Sequence, residues 1–281
     1  MADVVKKEII HALRSLGIQN SDDVLVHSSM KSFGHVSGGS DTVIDAFLEV
    51  IGEEGTLIMP TLSQKNWETV YRDWHLDRPS DVGLLTEVFR KREGTLRSNQ
   101  ATHSVAAFGK RAAAFTEGHT AFGPRVGPFG DYAFSASSPW QKMYDADVKI
   151  VFIGISTRYN TMKHLVEYRI YNDMLAQLSE SDASEMEKKL QHYGQPPHDQ
   201  WVWTYLDAMA LQKEYEAHGL IAHAFCGDAE LLCIRAGSCV DFTLRLIENE
   251  PAKWLEPSSF AWFQEANHRL ALFSAPMSAS C

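Results

Sequence analysis

The sequence predicts an α/β fold. Two observations carry that expectation: helix-like and strand-like segments alternate along the chain, and one strand-like run, "VKIVFIGIS", is apolar almost throughout. Alternation of this kind implies helices packed on a sheet. A strand without polar relief fits a central position buried on both faces. The 281 residues are 44% hydrophobic and 22% charged, which leaves ample material for a core. No internal repeat, low-complexity tract or clean linker divides them, so residues 1–281 are expected to form a single domain.

The elements follow in order. Residues 3–16 carry Val4, Val5, Ile9, Ile10, Leu13 and Leu16 at helical spacing. "VLVHSS" reads as a short strand. "DTVIDAFLEVIG" opens on an acidic residue and stops at Gly52, as a helix should. "GTLIMPT" is a buried strand halted at Pro60. "DVGLLTEVFRKREG" is a helix with basic residues near its C-terminal end, where they suit the dipole. "THSVAAFG" is a strand running into a turn, and "FGPRVGPFGDY" a Gly/Pro-rich loop. "SPWQKMYDAD" has Ser at the cap and Pro at the first helical position. The strand "VKIVFIGIS" feeds a helix over "TRYNTMKHLVEYRIYND". The polar text from 178 onward marks a helical insertion or lid at about 178–215, with "WVWTYLDAMALQKEYEAHG" as its later helical part. "AELLCIRAG" is a strand, and "SCVDFTLRLIENEPAKWL" a helix capped by Ser238.

Charge and composition exclude several functions. A formal net charge of −10 argues against nucleic-acid binding, which needs a basic face. The N-terminal stretch is amphipathic rather than a signal peptide, and no run approaches the roughly 20 apolar residues of a membrane span. A cytoplasmic enzyme or binding protein is the default expectation. The four cysteines form no C-x-x-C pair and lack a zinc-finger histidine, so no metal is expected.

Four clusters can carry chemistry. In "NTMKHLVEY", His164 lies four residues from Asn160, three from Thr161 and three from Glu167, giving one polar helical stripe. Histidine titrates near neutrality and suits a general base; a carboxylate at i+3 can orient its ring. The same spacing fits a solvated helix face or a buried, hydrogen-bonded histidine. "VHSSMKSFG" places His27, Ser28, Ser29 and Ser32 past a strand end, where backbone N–H groups can meet an anion or carbonyl. It equally fits an ordinary turn. "THSVAAFG" and "GPRVGPFG" are singly no more than a strand end and a turn. Neither G-x-G-x-x-G nor a P-loop is present.

Taken in order, "VLVHSSMKSFG", "GTLIMPT", "THSVAAFG", "GPFG", "VFIGIS" and "NTMKHLVEYR" resemble the aminoglycoside 3-N-acetyltransferase family over about residues 3–250. The resemblance implies a central mixed sheet flanked by helices, the antibiotic N-acetyltransferase fold, with acetyl-CoA as donor and the amine of a small molecule as acceptor. It puts His164 in the catalytic site with Glu167 as its acidic partner, and matches Asn160 and Thr161 to the family's N-T pair. Ser28, Ser29, Ser32, His103, Ser104 and Val105 would follow the donor's arm, with Phe129 and Gly130 beside the thioester. Backbone N–H groups near Ser28 and Ser29, or the Ser104 hydroxyl, are the expected oxyanion donors. Two departures stand out. Thr157 and Arg158 occupy the place of a His-Asp pair, and Arg125 that of a glutamate. The expected acceptor is an aminoglycoside or a related amine, anionic ones included; exchanging carboxylates for arginines disfavours a polycationic antibiotic and favours a neutral or anionic amine, read in part by Arg125 and Arg158. A serine acyl-enzyme on Ser28 or Ser29, an amide hydrolase, a catalytically silent binding member and a homodimer remain open alternatives.

Overall fold

The computed structural model describes residues 3–63, 65, 70–119, 133–190 and 202–274. In chain order these form α1 (Lys6–Ser15), β1 (Asp23–Ser28), α2 (Gly39–Ile51), β2 (Thr56–Pro60), α3 (Leu84–Arg90), β3 (Leu96–Arg97), β4 (Val105–Gly109), α4 (Ala112–Thr116), α5 (Pro139–Asp145), β5 (Lys149–Ile153), α6 (Met162–Leu175), α7 (Glu180–Leu190), α8 (Ala208–Ala217), β6 (Ala222–Cys226), β7 (Ala229–Arg235), α9 (Ala236–Asn249), α10 (Pro251–Trp254) and α11 (Pro257–Ser274). One mixed sheet runs β3-β4-β2-β1-β5-β7-β6. Its centre, β2-β1-β5, is parallel, and the strands on either side are antiparallel.

Strand alternation builds two cores. Val24 and Val26 of β1, with Val151 and Ile153 of β5, pack beneath α1, α2 and α3. Leu25, Ile150 and Phe152 face the opposite layer, which holds α5, α6 and α9. A strand whose neighbours point to opposite faces, both covered, has no place for polar relief; hence the apolar run that β5 shows in sequence. Gly52 ends α2 with φ 65°, a conformation that a side chain resists. Ser138 caps α5, accepting a hydrogen bond from the Gln141 amide at 3.2 Å.

Four local expectations are corrected. The helix read from Thr157 starts only at Met162. Thr157–Tyr159 is a 3-10 turn, and Asn160 is extended with ψ 103°. Its Oδ1 instead accepts from the Met162 amide at 3.0 Å, so Asn160 precedes the helix rather than lying on its stripe. Residues 202–206 are irregular; α8 begins after Asp207, whose Oδ1 accepts from the amides of Met209 and Ala210. Ser238 is not a cap, because β7 runs straight into α9. There the Ala236 amide donates to Val148 O and the Gly237 amide to Asp147 Oδ1. Strand β6 and helix α11 have no counterpart in the sequence reading.

The segment at 178–215 contributes buried side chains. Met186 and Leu190 of α7 and Leu211 and Tyr215 of α8 belong to the same core cluster as α6. Among the described residues, no helix is long and apolar enough to cross a membrane.

Candidate active site

A cleft of about 560 Å³ opens at the carboxyl ends of the parallel strands. From β1 the chain crosses to β2 on one side, and β5 joins on the other. Such a reversal leaves a crevice above the strand ends, where open α/β sheets take ligands. One wall is the end of β1 and its following turn, with His27, Ser28, Ser29 and Lys31. Leu62, Val82 and Leu84 supply an apolar wall. The third wall is the turn after β5 and the start of α6, with Arg158, Tyr159, Thr161, Lys163 and His164. Gly154 makes that turn. Its φ is +60°, and a Cβ there would lie inside the Ser32 side chain.

His164 is held from behind. Its Nδ1 lies 2.5 Å from Glu167 Oε2, and Glu167 is fully buried. The other carboxylate oxygen accepts from Lys163 Nζ at 2.9 Å and from the Leu206 amide at 2.9 Å. Burial pushes the Glu167 carboxyl up, but the charge and hydrogen bond of His164, with those of Lys163, hold it below its ordinary value. An ionised carboxylate at Nδ1 fixes the neutral imidazole as the Nδ1–H tautomer and leaves Nε2 as its proton acceptor. The ring also meets His103 edge-on at 5.7 Å and Phe134 at 5.8 Å. Phe134 in turn packs on Trp140 and Tyr168. Trp140 Nε1 donates to His103 O at 3.0 Å, which ties the "THS" and "SPW" segments together behind His164. Burial keeps His103 neutral, well below the usual histidine range.

The structure distributes the other sequence-derived residues unevenly. Ser28, Ser29, Asn160, Thr161 and Arg158 line the cleft with His164. Ser32, His103, Ser104 and Val105 do not. Ser32 Oγ donates to Ser29 O at 2.6 Å. Ser104 is fully buried, and its Oγ donates to Thr61 O at 2.9 Å, so that hydroxyl is committed to the fold. Val105 lies inside β4, paired with Pro60. The Ser29 amide donates to Ile153 O at 2.9 Å and is likewise spent. Of the expected oxyanion donors, the Ser104 hydroxyl and the Ser29 amide are thus engaged by the sheet and its neighbours. Asn160 Nδ2 donates to Cys239 Sγ at 3.3 Å, giving that residue a structural task at the cleft wall. Thr157, at the place of the family's histidine, is buried and bonded to Ala208 O and Gln212. Arg125, Phe129 and Gly130 lie outside the described residues.

Sequence reasoning missed Lys31, Lys163 and the apolar wall at Val82–Leu84. Lys163 had a signal, since it stands four residues before Glu167 on one helix. Lys31, Arg158 and Lys163 give the cleft three cationic side chains, and among the described residues no carboxylate lines it.

The family model described as aminoglycoside 3-N-acetyltransferase matches residues 25–248, and the chain belongs to that family. It is 28% identical over 186 residues to the SPbeta prophage-derived aminoglycoside N(3')-acetyltransferase-like protein YokD of Bacillus subtilis (strain 168), covering 59% of this chain and 65% of that protein. It is also 28% identical over 182 residues to aminoglycoside N(3)-acetyltransferase VII of Streptomyces paromomycinus, covering 58% and 60%. The aligned stretch therefore spans less than two thirds of either relative. Among solved structures, AAC-IIIb in binary complex with CoASH superposes with a TM-score of 0.69 at 20% identity, over 91% of this chain and 99% of that one. At that identity the likeness shows the fold.

Proposed function

We propose that the chain is an acetyl-CoA-dependent N-acetyltransferase that acetylates the amine of a small molecule by direct transfer, with His164 as general base. The observation that carries the reading is the cleft-wall imidazole whose Nδ1 is held by a buried, ionised Glu167. Family membership supports the reaction class, and the CoASH-bound relative supports the donor. The donor supplies the acetyl group as a thioester. His164 Nε2 takes a proton from the acceptor amine as its nitrogen bonds to the thioester carbonyl carbon. The carbon–sulfur bond then breaks, and the same proton passes to the departing thiolate. Glu167 positions the ring and offsets the imidazolium charge. Thr161 Oγ makes no hydrogen bond among the described residues and lines the cleft, so we assign it the donor role toward the developing oxyanion.

The acceptor is read as a neutral or anionic amine. Lys163 is neutralised by Glu167, whereas Lys31 and the exposed Arg158 offer charge to a carboxylate or phosphoryl group. An ammonium-rich ligand finds no described carboxylate in the cleft. Thiol release from acetyl-CoA, measured across a panel of aminoglycosides and anionic amines, tests both parts. Turnover confined to neutral or anionic amines is expected. Efficient turnover of several aminoglycosides contradicts the acceptor assignment, and no thiol release with any amine contradicts the reaction.

A further inference from the structure

His27 is the cleft residue that the proposed transfer does not use. It occupies the penultimate position of β1, is 5% exposed, and stacks flat on Phe152 with ring centroids 5.3 Å apart and planes within 9°. Its Nε2 is closed to solvent and makes no hydrogen bond among the described residues. Burial drives its pKa down to about 3, so the ring is neutral at any ordinary pH.

A stack on phenylalanine needs only a flat apolar ring. Phenylalanine at position 27 would supply that contact without burying the unpartnered Nε2. An unsatisfied buried polar group costs free energy on folding, and such orphans call for a partner. The partner must approach from the cleft, because that is the open side of this residue. A half-turn about χ2 exchanges ring nitrogens and carbons while preserving the stack, so either edge of the imidazole can meet a ligand. A neutral imidazole carries one N–H donor and one lone-pair acceptor. That pair matches an uncharged group with both functions, an amide or a hydroxyl, rather than a phosphate or an ammonium.

We propose that His27 is a ligand-reading residue of the cleft, exchanging hydrogen bonds with an uncharged amide or hydroxyl of a bound substrate. The choice of probes rests on the acetyl-transfer reading. Two sources share this chemistry: the amides in the arm of coenzyme A, and an amide or hydroxyl on the acceptor.

The test uses the full chain with His27→Phe, which retains the stack and removes both nitrogens. Melting is followed without ligand, coenzyme A affinity by calorimetry, and acceptor KM by thiol release. The ligand-free variant should melt about 2 °C or more above wild type. Affinity for one of the two substrates should fall about tenfold, with kcat changing far less. Weakened coenzyme A binding assigns the donor's amide, and a raised acceptor KM assigns the acceptor. A variant that melts below wild type overturns the proposal. So does one that binds, within twofold, every ligand the wild type binds. Wild-type protein that binds coenzyme A but acetylates no amine defeats the acetyl-transfer reading alone, because melting and calorimetry still decide His27.

Discussion

Replacing Glu167 with glutamine changes one atom and inverts the logic of the dyad. The carboxylate has three partners: His164 Nδ1 at 2.5 Å, Lys163 Nζ at 2.9 Å and the Leu206 amide at 2.9 Å. Glutamine keeps an oxygen for the Leu206 amide and Lys163, so the fold survives, with a stability loss of about 1–3 kcal/mol. It turns an NH2 toward His164 Nδ1, however. The imidazole must then accept at Nδ1 and carry its proton on Nε2, the atom needed as base. General-base catalysis contributes about 10²–10⁴-fold, equivalent to about 3–5.5 kcal/mol of barrier. Glu167→Gln should therefore lower kcat in the thiol-release assay by about that factor. Its KM for acetyl-CoA should stay within about twofold, because Glu167 is buried behind the cleft wall. A kcat within threefold of wild type, in a variant with unchanged circular dichroism, refutes the reasoning.

Two further outcomes follow from the fold. Burial lowers the pKa of His27 and His119 from 6.5 to about 3, and puts that of His103 well below 6.5. The unfolded chain binds these protons and the folded chain does not. Their contribution is fully present above pH about 6.5 and is lost as pH falls toward about 3, at about 1.4 kcal/mol per pH unit for each. Glu167, held below 4.5, adds a further loss as pH falls below about 4.5. Urea unfolding between pH 7 and pH 4 measures this, and a flat profile from 6.5 to 4.5 contradicts it. Gly154→Ala should destabilise by about 1–3 kcal/mol, because φ +60° and the Ser32 side chain both resist a Cβ. An unchanged urea midpoint counts against that account of the turn.

The sequence conveys the parts of this molecule that obey a local period. Strand β5 is visible because both faces are covered, and α2 ends where Gly52 lets it. The contact of His164 with Glu167 is legible from an i, i+3 spacing on one helix. What surrounds that pair is not. The Leu206 amide that fills the second oxygen of Glu167 is 39 residues away, and its approach depends on how α7 and α8 pack. Likewise Ser104 looks like a ligand residue until Thr61, 43 residues earlier, is seen to take its hydroxyl. Edge strand β6 lacks a readable pattern because most of its side chains face solvent. Asn160 resembles a helical residue by spacing, but it bonds the Met162 amide and stands outside the helix.

The measurement closest to the central claim is acetyl transfer by His164→Ala, read against coenzyme A binding by the same protein. Thiol release should fall by about 10²–10⁴-fold while the calorimetric affinity for coenzyme A stays within a few-fold of wild type. Release at near wild-type rates would show that His164 is not the base.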